Sequence, residues 1–204
     1  MRAIRQRAGD GPWYVVAADG GASLASSMGW RPDVVVGDMD SLGEADQMAL
    51  RESGCRFEVY PAEKDETDVH LAMEWALRAG FQEITVVCYV SGRLDHVLGG
   101  IWAACRYVEA GARVRFVDAG FEAVLVKGPA RVDIEGPVGL IVSLLPISGR
   151  AEGITVSGMK YPLRKESLGL GESRGISNQT TAARAAATVE SGFLLVIALQ
   201  SAGS

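Results

Sequence analysis

Two rhythms divide this 204-residue sequence near residue 120, and the first of them limits the fold more than any other feature. Up to that point, short apolar runs at residues 13–17, 34–36, 57–60, 84–90 and 114–117 alternate with helix-like segments. Several runs are apolar throughout, as strands covered on both faces must be. Between them, residues 67–79 set Val69, Ala72, Met73 and Ala76 on one helical stripe. Residues 94–109 do the same with Leu94, Val97, Leu98, Ile101, Cys105 and Val108. Strand–helix alternation of this kind predicts helices packed on a mainly parallel sheet.

Beyond residue 120 the pattern changes to short strand-like runs at 123–127, 131–134, 140–144, 154–156, 186–190 and 193–198, broken by Gly, Pro and Ser. No amphipathic helix of three turns is evident there. The expectation is an α/β N-terminal domain with a mainly parallel, Rossmann-like sheet over residues 1–122. An all-β, sandwich-like C-terminal domain follows over 123–204. At 48% apolar and 22% charged residues the composition is that of an ordinary globular protein. The longest clean apolar run, 193–199, is far too short to cross a bilayer. The basic start is followed by six apolar residues, too few for a good signal peptide. Three cysteines without CxxC spacing suggest neither a disulfide framework nor a zinc site. A cytoplasmic protein without a membrane partner is expected. The net charge of −5 argues against general nucleic-acid binding.

Charge is unevenly placed. Residues 1–120 carry 18 of the 25 acids and 12 of the 20 bases, and 11 acids fall within 33–68 alone. Many lie just past the predicted strands. Asp19-Gly20-Gly21 follows the first strand and Gly37-Asp38-Met39-Asp40-Ser41 the second. Lys64-Asp65-Glu66-Thr67-Asp68 follows the third, and Gly92-Arg93-Leu94-Asp95-His96 the fourth. In an open parallel sheet ligands bind beyond the carboxyl ends of the strands. Two carboxylates 4 Å apart repel by about 4 kcal/mol at an effective dielectric of 20, so converging loops of this kind call for a cation. Carboxylate oxygens without His or Cys companions suit Mg²⁺ shared with phosphates.

Each piece has a plainer structural reading. Asp19-Gly20-Gly21 serves equally as a turn, and Asp38 and Asp40 as loop solvation. Asp65 and Asp68 fit the N-cap and N3 positions of the next helix. Lys64 pairs with neighbouring acids, and Asp95 suits the first turn of a helix. His70 and His96 are more often surface or core residues than ligands.

Taken in order, however, Asp19-Gly20-Gly21-Ala22, Pro32-Asp33 with Gly37-Asp38-Met39-Asp40-Ser41, Lys64-Asp65-Glu66-Thr67-Asp68 and Gly92-Arg93-Leu94-Asp95-His96 resemble the thiamine pyrophosphokinase family. The resemblance continues through Gly158-Met159-Lys160-Tyr161-Pro162-Leu163, Ile176-Ser177-Asn178 and Val189-Glu190-Ser191-Gly192-Phe193-Leu194-Leu195, and so spans nearly the whole chain. Ser91, and Gly99-Gly100, depart from the family's usual residues.

The resemblance implies transfer of pyrophosphate from ATP to the hydroxyl of thiamine, with Mg²⁺ as the metal. It implies metal ligation by Asp38, Asp40 and Asp68, with Asp19 and Asp95 completing an acidic ring. Lys64 and Arg93 would hold phosphate oxygens, and Asp65, Thr67 and His96 would contribute to the ATP site. Tyr161 would stack on thiamine, with Ser177 and Asn178 as hydrogen-bonding partners. A homodimer whose active site is shared between chains is also implied. Two other readings share the acidic crevice: a different metal-dependent pyrophosphokinase or nucleotide transferase, such as one acting on a pterin, and a non-catalytic thiamine or nucleotide sensor.

Overall fold

The computed structural model describes residues 12–87 and 93–199. The first half opens with β1 (Val16–Ala18), α1 (Gly21–Ser27), β2 (Val34–Gly37), α2 (Glu44–Glu52) and β3 (Arg56–Val59). These strands form a three-stranded parallel sheet in the order β1-β2-β3, with Val16 opposite Val34 and Val34 opposite Arg56. The central strand β2 is buried along its length, which is why it reads Val-Val-Val-Gly without a polar residue. Helix α3 (Asp68–Arg78) covers β1 and β2, with Leu71 against Val34 and Val36.

The fourth strand, β4 (Glu83–Val87), is where the arrangement departs from the single sheet the alternation predicts. The last three residues of the expected strand, 88–90, and the Ser91-Gly92 that precede Arg93 lie outside the described residues. After helix α4 (Leu94–Glu109) the chain forms β5 (Arg113–Val117), parallel to β4, and turns at once into β6 (Phe121–Lys127), antiparallel to β5. The tight β5–β6 connection, where Asp118 N–H donates to Phe121 O at 3.0 Å, carries the β4–β5 pair into a sheet with the later strands. Among the described residues β1 and β4 are not paired, and an apolar cavity of about 750 Å³ separates them. The parallel part of the protein is therefore a trio and a pair.

The remaining strands are β7 (Ala130–Glu135), β8 (Ile141–Pro146), β9 (Arg150–Ser157), β10 (Glu166–Gly169), β11 (Asn178–Gln179), β12 (Arg184–Val189) and β13 (Phe193–Leu199). They build a four-stranded antiparallel sheet, β10-β9-β12-β7, and complete a six-stranded mixed sheet, β11-β8-β13-β6-β5-β4. The two sheets enclose one core, containing Val132, Ile154, Leu168, Leu194 and Val196. The other face of the six-stranded sheet packs on α3 and α4 through Phe116, Leu125, Leu195, Met73, Ala104 and Tyr107. Strand β13 thus sends Leu194 and Val196 to one core and Leu195 to the other, so its unbroken apolar run is that of a strand buried on both faces.

Helices α1 and α2 lack the large buried side chains that α3 and α4 carry. The buried residues of α1 are the small Ala22 and Ala25, and α2 has no fully buried residue. No helix among the described residues is long and apolar enough to cross a membrane.

Candidate active site

Strand β1 delivers Asp19. Its N–H donates to Val36 O at 2.9 Å, extending the β1–β2 ladder by one rung, and its backbone then turns to φ +42° so that Ala22 N–H returns to Asp19 O at 3.0 Å to start α1. The side chain is buried, and its Oδ1 has no hydrogen-bond partner among the described residues. Strand β2 ends at Gly37, where a Cβ would come within 2.9 Å of Asp19 Cβ and 3.1 Å of Asp68 Oδ1. Only glycine lets the two carboxylates approach across the strand end, and its φ of +150° also favours glycine.

The turn after Gly37 places two more acids beside Asp19. Met39 adopts φ +67°, a left-handed backbone that is costly for a large side chain, and buries that side chain beneath the turn. Asp38 and Asp40 flank it, and one carboxylate oxygen from each of Asp19, Asp38 and Asp40 lies within 4.8 Å of the others. Asp40 N–H donates to Asp38 Oδ1 at 3.2 Å, and Ser41 Oγ donates to Asp40 Oδ1 at 3.0 Å.

One cation of the chain itself enters this group. Lys64 Nζ lies 3.3 Å from Asp38 Oδ2 and 2.6 Å from Asp68 Oδ1, with all three side chains mostly covered. The Asp40 N–H and the Lys64 ammonium together hold the Asp38 carboxyl below its ordinary range. Burial opposes the Lys64 charge, but its two ion pairs outweigh that and raise it above the usual lysine value. Asp68 is the first residue of α3. Thr67, not Asp65, is the N-cap of that helix, its Oγ1 accepting from His70 N–H at 3.3 Å, and Asp65 is exposed in the turn before it. The capping expectation for Asp65 and Asp68 is corrected accordingly: threonine reaches the third N–H from directly before the helix, and the two acids sit at other positions.

The structure therefore brings together Asp19, Asp38, Asp40, Lys64 and Asp68. It sets Arg93 and Asp95 apart as a partnership of their own. Arg93 donates to Asp95 at 3.2 Å through Nε and at 2.6 Å through a terminal nitrogen, and both side chains are largely exposed. That fork raises the Arg93 guanidinium and lowers the Asp95 carboxyl, each chiefly through the hydrogen bonds to the other. Arg93 and His96 line the cavity between β1 and β4.

In the later strands, Asn178 is buried and its side-chain amide is occupied. Its Oδ1 accepts from Tyr161 N–H and from Gln179 N–H, both at 2.9 Å, and its Nδ2 donates to Tyr161 O at 2.7 Å. Tyr161 itself is 56% exposed, with Lys160 Nζ 5.5 Å from its ring centre. Ser177 is exposed at φ +60°, and its N–H donates to Ser143 Oγ at 3.1 Å. Sequence reasoning overlooked Gln47, whose Nε2 donates to the carbonyls of Met39 and Leu42 under the acidic turn. An uncharged residue within a short helix offers no signal of that role.

Residues 8–116 match the model of the thiamin pyrophosphokinase catalytic domain, and residues 131–194 match that of the thiamin pyrophosphokinase vitamin B1 binding domain. The thiamine pyrophosphokinase of Bacillus subtilis is 30% identical over 183 residues, covering 89% of this chain and 85% of that protein. The thiamin pyrophosphokinase of Caenorhabditis elegans is 23% identical, covering 92% of this chain and 79% of its own. A crystal structure of the Bacillus subtilis protein superposes with a TM-score of 0.84 at 28% identity, covering 98% of this chain and 94% of that one. The fold is also shared with the Candida albicans protein, at a TM-score of 0.74, 17% identity and coverage of 92% and 82%. With both family models matched in order along one chain, this protein belongs to the thiamine pyrophosphokinase family.

Proposed function

We infer that the chain is a thiamine pyrophosphokinase: it transfers the pyrophosphoryl group of ATP to the hydroxyl of thiamine, yielding thiamine diphosphate and AMP. The observation that carries the reading of its site is the group of three carboxylates within 4.8 Å, one with a buried oxygen that has no hydrogen-bond partner among the described residues. A hard, oxygen-only donor set of this kind fits Mg²⁺, and Asp19, Asp38 and Asp40 are the residues to hold it. Asp68 supports the group through Lys64. The bound cation would neutralise polyphosphate charge and help align the reacting phosphorus.

The chain's own residues do the rest. In the reaction the thiamine hydroxyl oxygen forms a bond to the β-phosphorus, the bond from that phosphorus to the α–β bridging oxygen breaks, and AMP leaves with that oxygen. The hydroxyl proton passes to an adjacent carboxylate. Positioning and charge neutralisation carry most of such a transfer. Lys64, already poised between two acids, and Arg93, paired with Asp95, are assigned to the phosphate oxygens. Asp65, Thr67 and His96 are assigned to the nucleotide at the mouths of the same strands. Tyr161 is assigned to thiamine through its exposed ring and Ser177 as a hydrogen-bonding group, while Asn178 fixes the Tyr161 backbone.

The three-stranded parallel sheet with α1 and α3 packed on β1 supports a Rossmann-like N-terminal domain over residues 1–122, and the two-sheet core supports a sandwich-like domain over 123–204. A homodimer sharing its active sites between chains is part of this reading. Leu94, Leu98 and Trp102 recur every four residues on α4 and are all exposed, an apolar stripe suited to a second copy.

Phosphorus NMR tests the reaction. ATP, Mg²⁺ and thiamine incubated with the protein should give AMP and thiamine diphosphate one for one. Formation of ADP with thiamine monophosphate would overturn it.

A further inference from the structure

We propose that Gln47 is a positioning residue that sets the cation affinity of the acidic turn, an inference that rests on Asp38 and Asp40 being cation ligands. The turn from Asp38 to Leu42 is awkward to hold. Met39 is in the left-handed region, and Met39 and Leu42 both bury their side chains in the core beneath β1 and β2 with Ala17, Val35 and Cys55. Buried residues need donors for their carbonyls. Within the turn, Met39 O receives only a long hydrogen bond from Leu42 N–H at 3.4 Å.

Gln47 supplies the missing donors. From the first turns of α2 its Nε2 reaches Leu42 O at 3.0 Å and Met39 O at 3.3 Å, so one side chain ties both ends of the turn. Helix α2 is otherwise lightly fastened. Its N-cap, Gly43, makes no side-chain capping bond, and none of its residues is fully buried. The link therefore acts in one place, on the backbone that aims Asp38 and Asp40 at Asp19. Groups that orient metal ligands from behind typically alter affinity 10- to 100-fold when removed.

The test uses Mn²⁺ alone, titrated calorimetrically into metal-free full-length protein, with thermal melting in parallel. Wild type should bind Mn²⁺, and Asp40→Asn should lose most of that binding. Gln47→Met keeps the side-chain length and removes both donors, and should bind on the order of 10-fold more weakly. Leu50→Ala loosens α2 in the core that also holds Met39 and Leu42, while leaving both Gln47 hydrogen bonds in place. It should lower the melting temperature at least as much as Gln47→Met does while keeping wild-type affinity. Equal Mn²⁺ affinity in wild type and Gln47→Met would overturn the proposal. So would an equal loss in Leu50→Ala, or failure of Gln47→Met to fold, because each makes Gln47 a general support of the helix. Wild-type protein whose Mn²⁺ binding ignores Asp40→Asn would instead sink the cation reading of the turn, and this proposal with it.

Discussion

Asn178 grips Tyr161 by both sides of its backbone, accepting the Tyr161 N–H at 2.9 Å and donating to the Tyr161 carbonyl at 2.7 Å. Its oxygen also takes the Gln179 N–H, so among the described residues three of the four amide hydrogen-bonding positions are used. On the proposed assignment of Tyr161 to thiamine, a residue so engaged and so buried would act through Tyr161. Tyr161→Ala should raise the KM for thiamine severalfold with a smaller effect on kcat, since ring stacking is made in ground and transition states alike. Tyr161→Phe should stay near wild type. Asn178→Ala should reproduce the KM effect of Tyr161→Ala. An unchanged thiamine KM in Asn178→Ala would separate the two residues functionally.

The acids divide into a convergent group and an outlying pair, and the two should respond differently. Asp40→Asn removes one charge from three crowded carboxylates, and turnover should fall by about 10²–10³, the scale of losing one preorganised electrostatic contact. Its melting temperature without metal should not fall, because repulsion is relieved. Asp95→Asn should cost less, since its partner is the exposed Arg93. Steady-state kinetics at saturating Mg²⁺ would contradict this division if Asp95→Asn proved the more damaging change.

Much of this arrangement is legible in the sequence because apolar strands and the acids after them are local features. Val34, Val35 and Val36 announce a strand buried on both faces, and Gly37-Asp38-Met39-Asp40 marks its end. Asp19 appears in the sequence as an acid after a strand, but that its oxygen falls within the Asp38–Asp40 group depends on Gly37 having no Cβ between two strands. Asp68 instead faces Lys64, because α3 presents it at its first residue. Hidden altogether are features set by tertiary contact. Helix α2 has no fully buried residue, Gln47 works on carbonyls that no pattern exposes, and β5 finds β6 rather than extending the parallel trio. The Asn178 amide illustrates the same limit: its residue type promised hydrogen bonds to a ligand, and the fold uses most of them on Tyr161 and Gln179.

If the site is shared between subunits, complementation will reveal it. Asp40→Asn damages the carboxylate group and Tyr161→Ala the thiamine contact, and each homodimer should be nearly inactive at thiamine well below the raised KM. After subunit exchange, half the dimers are mixed, and each mixed dimer then has one intact site. About a quarter of wild-type activity should return. No recovery after verified exchange would place both contributions within one chain.

Lys64 should be needed most when no divalent cation is present. It is the counter-charge held between Asp38 and Asp68, so Lys64→Met should melt several degrees lower than wild type in EDTA. Added Mg²⁺ should raise the variant's melting temperature more than that of wild type, because the cation then neutralises acids that Lys64 no longer reaches. Asp38 has a lowered value, so its share of stability is present above the ordinary value of 3.8 and is lost as pH falls through the folded value beneath it. Lys64 has a raised value, so its share is complete below 10.5 and is lost as pH climbs past that. The difference between the two proteins should therefore stay flat from about pH 6 to 9 and shrink only at the extremes. A difference that vanished at neutral pH would show that the pair adds nothing to the fold.

Tyr107 makes a sharper case because it sits in the core rather than the site. Its hydroxyl donates to His70 O at 3.1 Å, fastening α4 to α3 behind the residue pair Thr67–Asp68, and only 2% of the residue is exposed. Tyr107→Phe keeps the ring packing and strands the His70 carbonyl, which should cost about 1 kcal/mol in denaturant unfolding near neutral pH. Burial pushes the Tyr107 hydroxyl from its ordinary 10 up to about 12. The unfolded chain then releases that proton first, so the folded state holds more protons between those limits, and stability must fall as pH rises through the interval. Phenylalanine has no proton to lose, and subtracting its stability from that of wild type cancels the other alkaline groups. The advantage of wild type over Tyr107→Phe should be full below pH 10 and decline as pH moves toward 12. A difference that stayed level or widened across that range would mean that Tyr107 ionises in the fold as readily as in the unfolded chain, and that its hydroxyl is not held in the α3–α4 core.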